Sequence, residues 1–351
     1  MSAGTGPLLD VRDLSVTFTR KDRRDVHAVD GVSFQVRPGE TVGLVGESGS
    51  GKSVTSLAIM GLLPPRGVRV GGEVRFDDDD LLTLPKDRMR DIRGRDIAMV
   101  FQDPMSSLNP VVPIGVQVTE VLERHQDLHG EAARAQAADL LHRVGIPDPE
   151  RRLKDYPHQL SGGMRQRALI SMALACRPRL LIADEPTTAL DVTIQAQILE
   201  LLRELVTGSG TSLVLITHDL GVVAGLCDTV HVMYAGRVVE SAPRRPLFAD
   251  PRHPYTGGLL GSVPRLDAPR GEPLRPIPGS PTDTLPWVKG CAFAPRCAHR
   301  VDACTGQPPP LEVTDHRSLR CVNPLAEGEA SPNPAVVPPA SVVPDPEEEP
   351  S

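Results

Sequence analysis

The sequence predicts an α/β fold in which helices cover both faces of a mainly parallel sheet. Three observations carry that expectation. Short, apolar strand-like runs alternate with helical stretches between residues 41 and 217. One run, residues 41–45, leads directly into Gly46-Glu47-Ser48-Gly49-Ser50-Gly51-Lys52-Ser53, which fits the phosphate-binding pattern G-x-x-x-x-G-K-[ST] at every fixed position. Gln102, Asp184-Glu185 and His218 each follow another apolar run, at the strand ends where open α/β sheets bind ligands.

Taken in order, residues 8–45 read as strands: Leu14, Val16 and Phe18 alternate with polar neighbours, as do Val32, Phe34 and Val36. Pro38-Gly39 is a turn. Residues 53–63 read as a helix stopped by Pro64-Pro65. Residues 73–80 suggest a strand entering a turn, with the acidic run 77–80 solvated rather than metal-binding. Residues 97–101 form a buried strand ending at Gln102. Residues 119–145 read as helical, 153–160 as a loop, and 164–176 as a helix ending before Pro178. A strand at 180–184, a helix at 194–206, a strand at 213–217 and a hairpin around Ala235-Gly236 complete the core. Prolines recur through 243–286, which suggests a poorly regular extension wrapping a surface. Residues 325–351 are Pro-rich and acidic and lack aromatics, so disorder is expected there. There is no internal repeat and a single phosphate loop, hence one nucleotide-binding module.

The 351 residues carry a formal charge of −7, but residues 325–351 hold six acids and no Lys or Arg. The body is therefore close to neutral, which argues against a broad grip on nucleic acid. Only five of the 38 basic residues are lysine, so Lys52 is no by-product of a lysine-rich chain. The first ten residues lack the pattern of a signal peptide, and no apolar run approaches the ~20 residues that span a bilayer. Any membrane role is expected to be peripheral, with the thiols in a reducing compartment.

Each motif has a chemical rationale. Glycines at 46, 49 and 51 let the backbone turn its N–H groups inward, and a helix starting near Lys52 aims its positive end at the same point. Lys52 would reach the β- and γ-phosphates, and Ser53 would hold Mg²⁺. Asp184, at the tip of an apolar strand, can bind Mg²⁺ through water, and Glu185 can orient and polarise an attacking water. His218 could touch the γ-phosphate. Phe18 is either an adenine-stacking ring or a plain inward residue. Ser161-Gly162-Gly163 forms a second Ser/Gly cradle at a helix start, and two cradles with one lysine suggest two chains sharing nucleotides.

The phosphate loop, Gln102, Leu160-Ser161-Gly162-Gly163-Met164-Arg165-Gln166-Arg167, Asp184-Glu185, Ala189-Leu190-Asp191 and His218 together resemble the ATP-binding subunit of ABC transporters over about residues 8–240. The resemblance implies a P-loop NTPase of ABC type, with a RecA-like core sheet, an antiparallel β subdomain and a helical subdomain at about 103–178. It implies ATP and Mg²⁺ as ligands. Phe18 would stack on adenine, and residues 46–53 would cradle the phosphates. Ser161, Gly162 and Gly163 would contact the γ-phosphate of a partner subunit, and Asp191 would face the other protomer. Gln102 would sense Mg²⁺ and the membrane subunit. Met164 departs from the Gln found in many members. Gln102 through Pro110 and the Ser-Gly-Gly-Met variant resemble the oligopeptide/dipeptide/nickel importer branch.

That branch also carries a C-terminal extension similar to residues 241–324, through His253-Pro254-Tyr255-Thr256 and Gly290-Cys291-Ala292-Phe293-Ala294-Pro295-Arg296-Cys297. Cys291, Cys297, Cys304 and Cys321 are spaced C-x5-C-x6-C-x16-C, unlike a zinc ribbon. By the resemblance they are candidate ligands of a [4Fe–4S] cluster, with zinc or free, reversibly oxidised thiols as alternatives. Cys176 and Cys227 read as core residues. The implied partners are a second homologous ATPase, two transmembrane permeases and an extracytoplasmic solute-binding protein, assembled at the cytoplasmic side of the cell membrane. The implied activity is ATP hydrolysis driving peptide uptake, with nickel or another small solute as the alternative cargo. A soluble ABC protein acting on DNA or ribosomes is the competing class; the coiled-coil or zinc insertions and the paired modules of such proteins are absent from the sequence. A tail acting as a redox or iron sensor is compatible with the importer reading.

Overall fold

The computed structural model describes residues 6–19, 25–188, 190–263, 276–280, 289–314 and 316–328. The expectations for the start of the chain, for Ala189, for parts of 243–286 and for nearly all of the acidic tail lie outside these residues. The chain opens with strands β1 (Leu9–Phe18), β2 (Val26–Val36) and β3 (Thr41–Val45), then helix α1 (Lys52–Ile59). Strands β4 (Val68–Phe76) and β5 (Asp79–Asp80) return to β1, giving an antiparallel sheet in the order β2-β1-β4-β5. Helix α2 (Lys86–Ile92), strand β6 (Ile97–Val100) and helix α3 (Pro104–Ser107) lead to a helical block of α4 (Ile114–Gln126), α5 (Gly130–Arg143), α6 (Pro149–Arg152) and α7 (Gly162–Leu174). The core resumes with β7 (Leu180–Asp184), α8 (Val192–Ser209), β8 (Ser212–Thr217), α9 (Leu220–Leu226), β9 (Thr229–Tyr234) and β10 (Arg237–Pro243). Helices α10 (Arg244–Ala249) and α11 (Pro254–Gly261) follow, then strands β11 (Glu312–Val313) and β12 (Ser318–Leu319).

The second sheet runs β11-β12-β10-β9-β3-β8-β7-β6, with β9, β3, β8, β7 and β6 parallel. Its strands are apolar throughout because both faces are covered. Leu181, Ala183, Leu213 and Leu215 enter one core, while Leu180, Ile182, Val214 and Ile216 enter the other. Gly43 is what β3 needs opposite α9: a Cβ there would stand 2.8 Å from Val223 Cγ1.

Three stretches differ from expectation. The helical run at 119–145 is two helices, parted where Asp127 adopts φ 54. Its short side chain tolerates that left-handed turn, and Gly130, with φ 57, follows as the first residue of α5, a breaker that the reading of 119–145 as one run passed over. The acidic run is the expected solvated turn at Asp77 and Asp78, where Asp77 pairs with Arg179 at the surface, but its second half, Asp79–Asp80, forms the short strand β5. The extension is more regular than its prolines suggest. Proline opens α11 at its first position, where its missing N–H is harmless. Cys227 is buried and Cys176 half-buried, both as free thiols.

The extension joins the main sheet. β12 pairs antiparallel with β10 through Glu240↔Leu319 and Ser241↔Ser318. Glu240 is fully buried and accepts from the backbone N–H groups of Arg252 (2.9 Å) and His253 (3.0 Å) and from Arg317 Nη1 (2.7 Å). Burial raises its carboxyl above the ordinary 4.5. Replacing Arg317 by Met removes the cation and should lower unfolding free energy by about 3–5 kcal/mol at neutral pH. A folded-state value above the unfolded one favours folding as pH falls, so the deficit should shrink on acidification towards 4.5. Urea unfolding across pH checks this, and a deficit independent of pH would contradict it.

Candidate nucleotide-binding site

The phosphate loop is shaped by two glycines that nothing else can replace. Gly46 has φ 152, and a Cβ there would lie 2.3 Å from the Met233 carbonyl oxygen. Gly51 has φ 100, and its Cβ would lie 2.4 Å from the Ala28 carbonyl oxygen. Gly49 needs glycine only for its φ of 80, because the space around it is open. The turn is tied from behind by Gly236 N donating to Ser50 O at 3.0 Å.

Lys52 is the first residue of α1 and is 4% exposed. Its ammonium donates to Gly46 O (2.8 Å) and Glu47 O (3.0 Å). Burial lowers its pKa, opposed by the carboxylates of Glu185, Asp184 and Glu47. At the next residue, Ser53 Oγ donates to Asp184 Oδ1 at 3.0 Å. Burial at the tip of β7 raises the Asp184 carboxyl, against that hydrogen bond. A desolvated carboxylate beside a hydroxyl is an oxygen set that suits a hard cation such as Mg²⁺.

Glu185 follows with φ 45, a left-handed conformation uncommon for a non-glycine residue and characteristic of functional turns. Its Oε2 accepts from Gln102 Nε2 (2.9 Å) and from Thr188 Oγ1 (2.8 Å), and His218 Nδ1 lies 3.3 Å from Oε1. Residues that follow β6, β7 and β8 thus meet on one carboxylate. In-register parallel pairing of these strands brings their ends level.

The second cradle stands apart. Ser161 caps α7, accepting from Met164 N, and Asp191 caps α8, accepting from Ile194 N. The two helix starts touch: a Cβ on Gly162 would meet Leu190 at 3.4 Å, and one on Gly163 would meet Ile194 at 2.8 Å. Among the described residues no hydrogen bond joins residues 161–163 to residues 46–53. Phe18 ends β1, paired with Val26 and Val68 and partly buried against the core that contains β1.

Cys291, Cys297, Cys304 and Cys321 line one small cavity with His253 and His299. Burial raises the thiols of Cys291 and Cys297, and that of Cys321 to about 11. Among the described residues no three His, Cys, Asp or Glu side chains form a group that could hold a metal ion.

Sequence reasoning gave no site role to three residues found here. Thr188 supports Glu185 from three positions away, and a hydroxyl among Pro186, Thr187 and Thr188 carries no local signal. Tyr255, whose hydroxyl accepts from Glu47 N (2.9 Å), and Arg296, which pairs with the Glu47 carboxylate, belong to the extension.

A family profile described as ABC transporter matches residues 29–188, and one described as oligopeptide/dipeptide transporter, C-terminal region, matches residues 239–304. The chain is 51% identical to the oligopeptide transport ATP-binding protein OppD of Escherichia coli (strain K12), covering 91% of this chain and 94% of that one. It is 53% identical to the dipeptide transport ATP-binding protein DppD of Bacillus subtilis (strain 168), covering 90% and 94% respectively. Among solved structures, the dimeric ATP-binding cassette MJ0796 bound to ADP and Pi in a post-hydrolysis state matches with a TM-score of 0.61 and 30% identity, over 68% of this chain and 99% of that one.

The glycine geometry sets a graded expectation. Gly49→Ala should cost about 1–3 kcal/mol, from its φ alone. Gly46→Ala adds a backbone clash and should weaken nucleotide binding by at least about tenfold more than Gly49→Ala. Titration of both variants with nucleotide checks the order, and equal losses would refute the close-approach argument.

Proposed function

The chain belongs to the ABC transporter ATP-binding family, in its oligopeptide/dipeptide branch, and from that premise we propose that it is the ATP-hydrolysing motor subunit of a peptide importer. The observation that carries the mechanism is the convergence of Gln102, Thr188 and His218 on Glu185, next to the Ser53–Asp184 pair. Residues 46–52 would hold the triphosphate, with Lys52 exchanging loop carbonyls for phosphate oxygens. Glu185 would align a water on the γ-phosphorus and accept its proton as the new P–O bond forms. The bond to the β-γ bridging oxygen breaks and ADP keeps the electron pair. Ser53, and Asp184 through water, would hold Mg²⁺, which would supply charge neutralisation on the phosphates. Gln102, Thr188 and His218 fix the carboxylate's direction.

The separation of residues 161–163 from the phosphate loop supports a shared arrangement. Ser161, Gly162, Gly163 and Asp191 would face the nucleotide of a second ATPase subunit, and Phe18 would stack on adenine. The membrane partners would be two permeases, supplied by an extracytoplasmic solute-binding protein. Among the described residues no helix is long and apolar enough to cross a membrane, which fits peripheral attachment at the cytoplasmic face. Residues 8–240 would form the ATPase domain, and 241–324 an extension carrying the cysteine cluster. Of the two cargoes expected, peptides are favoured over nickel or another small solute by the match to the oligopeptide/dipeptide C-terminal region and by the peptide-transport relatives.

We further propose that Cys291, Cys297, Cys304 and Cys321 hold a [4Fe–4S] cluster. The shared cavity favours this, and a cubane needs its four thiolates further apart than one zinc ion does. Iron and sulfide analysis of anaerobically purified protein, with Cys304→Ser as control, should find both elements only in the parent; their absence after reconstitution discards the cluster.

For the motor, Glu185→Gln should retain ATP binding while turnover falls by about 10²-fold or more in the assembled transporter. Normal hydrolysis by that variant would remove Glu185 from the role assigned to it.

A further inference from the structure

The phosphate loop contains one acid, Glu47, in a turn that must accept a polyanion. Its side chain is only 28% exposed, and Arg296 faces it with 3% exposed. The two form a fork: Arg296 Nη1 donates to Glu47 Oε2 at 2.7 Å and Nη2 to Oε1 at 2.9 Å. The guanidinium is itself anchored. Nε donates to Pro278 O (2.7 Å), Nη2 also to Gly279 O (3.2 Å), and Nη1 reaches the Tyr234 hydroxyl at 3.4 Å. Its carbon lies 5.7 Å from the centre of the Tyr234 ring. Tyr255, on α11, holds the same loop residue by its amide. Phe293 packs against both tyrosine rings, with centroids 5.3 Å apart in each case.

Resting on the reading that this loop binds ATP, we infer that Arg296 is a positioning residue for the nucleotide: by neutralising Glu47 and drawing its carboxylate aside, the extension sets the affinity of the phosphate loop. A bare carboxylate beside a triphosphate repels it, and the repulsion is strong where water is excluded. Lysine substitutes only in part, because a single ammonium keeps the charge but does not span two carboxylate oxygens while holding two backbone carbonyls.

Equilibrium binding of ATP·Mg²⁺ to the purified full-length subunit tests this. Arg296→Met should weaken binding about tenfold. Adding Glu47→Gln to that variant should restore affinity to within about threefold of the parent, since no unpaired carboxylate then remains. Salt separates this from a purely structural role: the loss in Arg296→Met should shrink as ionic strength rises, whereas a packing defect would not respond. Parental affinity in Arg296→Met, or a double variant no tighter than the single, overturns the inference. If Arg296→Met does not fold, Arg296→Lys decides: about threefold weaker binding is expected, and parental affinity refutes it. Lys52→Ala serves as the control. If it binds ATP as the parent does, the ATP reading of the loop fails; if it loses ATP while Arg296 variants bind normally, only the present inference fails.

Discussion

The site depends on a backbone packed against backbone. The Ala28 and Met233 carbonyls press so closely on Gly51 and Gly46 that no side chain fits between. These carbonyls come from β2 and β9, one strand from each sheet. The turn from Gly46 to Gly51 is therefore a place where the two sheets meet. Any relative movement of the sheets bears directly on the loop's shape, because close-packed interiors transmit displacement rather than absorb it.

Much of this was legible in the sequence. The parallel core announced itself through apolar runs such as Leu180-Leu181-Ile182-Ala183, which only a sheet covered on both faces can bury. The loop's glycines follow from fixed spacings and the acids from the end of an apolar run, so Lys52, Ser53, Asp184 and Glu185, which the structure brings together, could be named as candidates from the sequence. What escaped was non-local or chemically quiet. The break at Asp127–Gly130 lies inside an otherwise helical pattern, where an isolated glycine is tolerated and so reads as weak punctuation. Thr188 turns a common hydroxyl on a carboxylate. Arg296 sits 249 positions from Glu47, and no periodicity links them.

The extension changes the reading of domain limits. Taken by sequence, the cassette ends near residue 240. In three dimensions β10 continues outward into β12 and β11, and Glu240 is satisfied by Arg252, His253 and Arg317, all beyond that boundary. An acid buried at the last residue of the cassette makes sense only with the later residues in place. The added strands also occupy what would otherwise be a bare edge of β10.

The long interval between Glu47 and Arg296 has a consequence for biosynthesis. At about 5–20 residues per second, a ribosome needs on the order of 10–50 s to travel from one to the other. Throughout that time the emerging chain has its nucleotide loop but not the fork that fastens it. The turn at Glu47 therefore stays unfastened until residue 296 has been made, so the fork forms only after the strands and helices between the two residues have been synthesised.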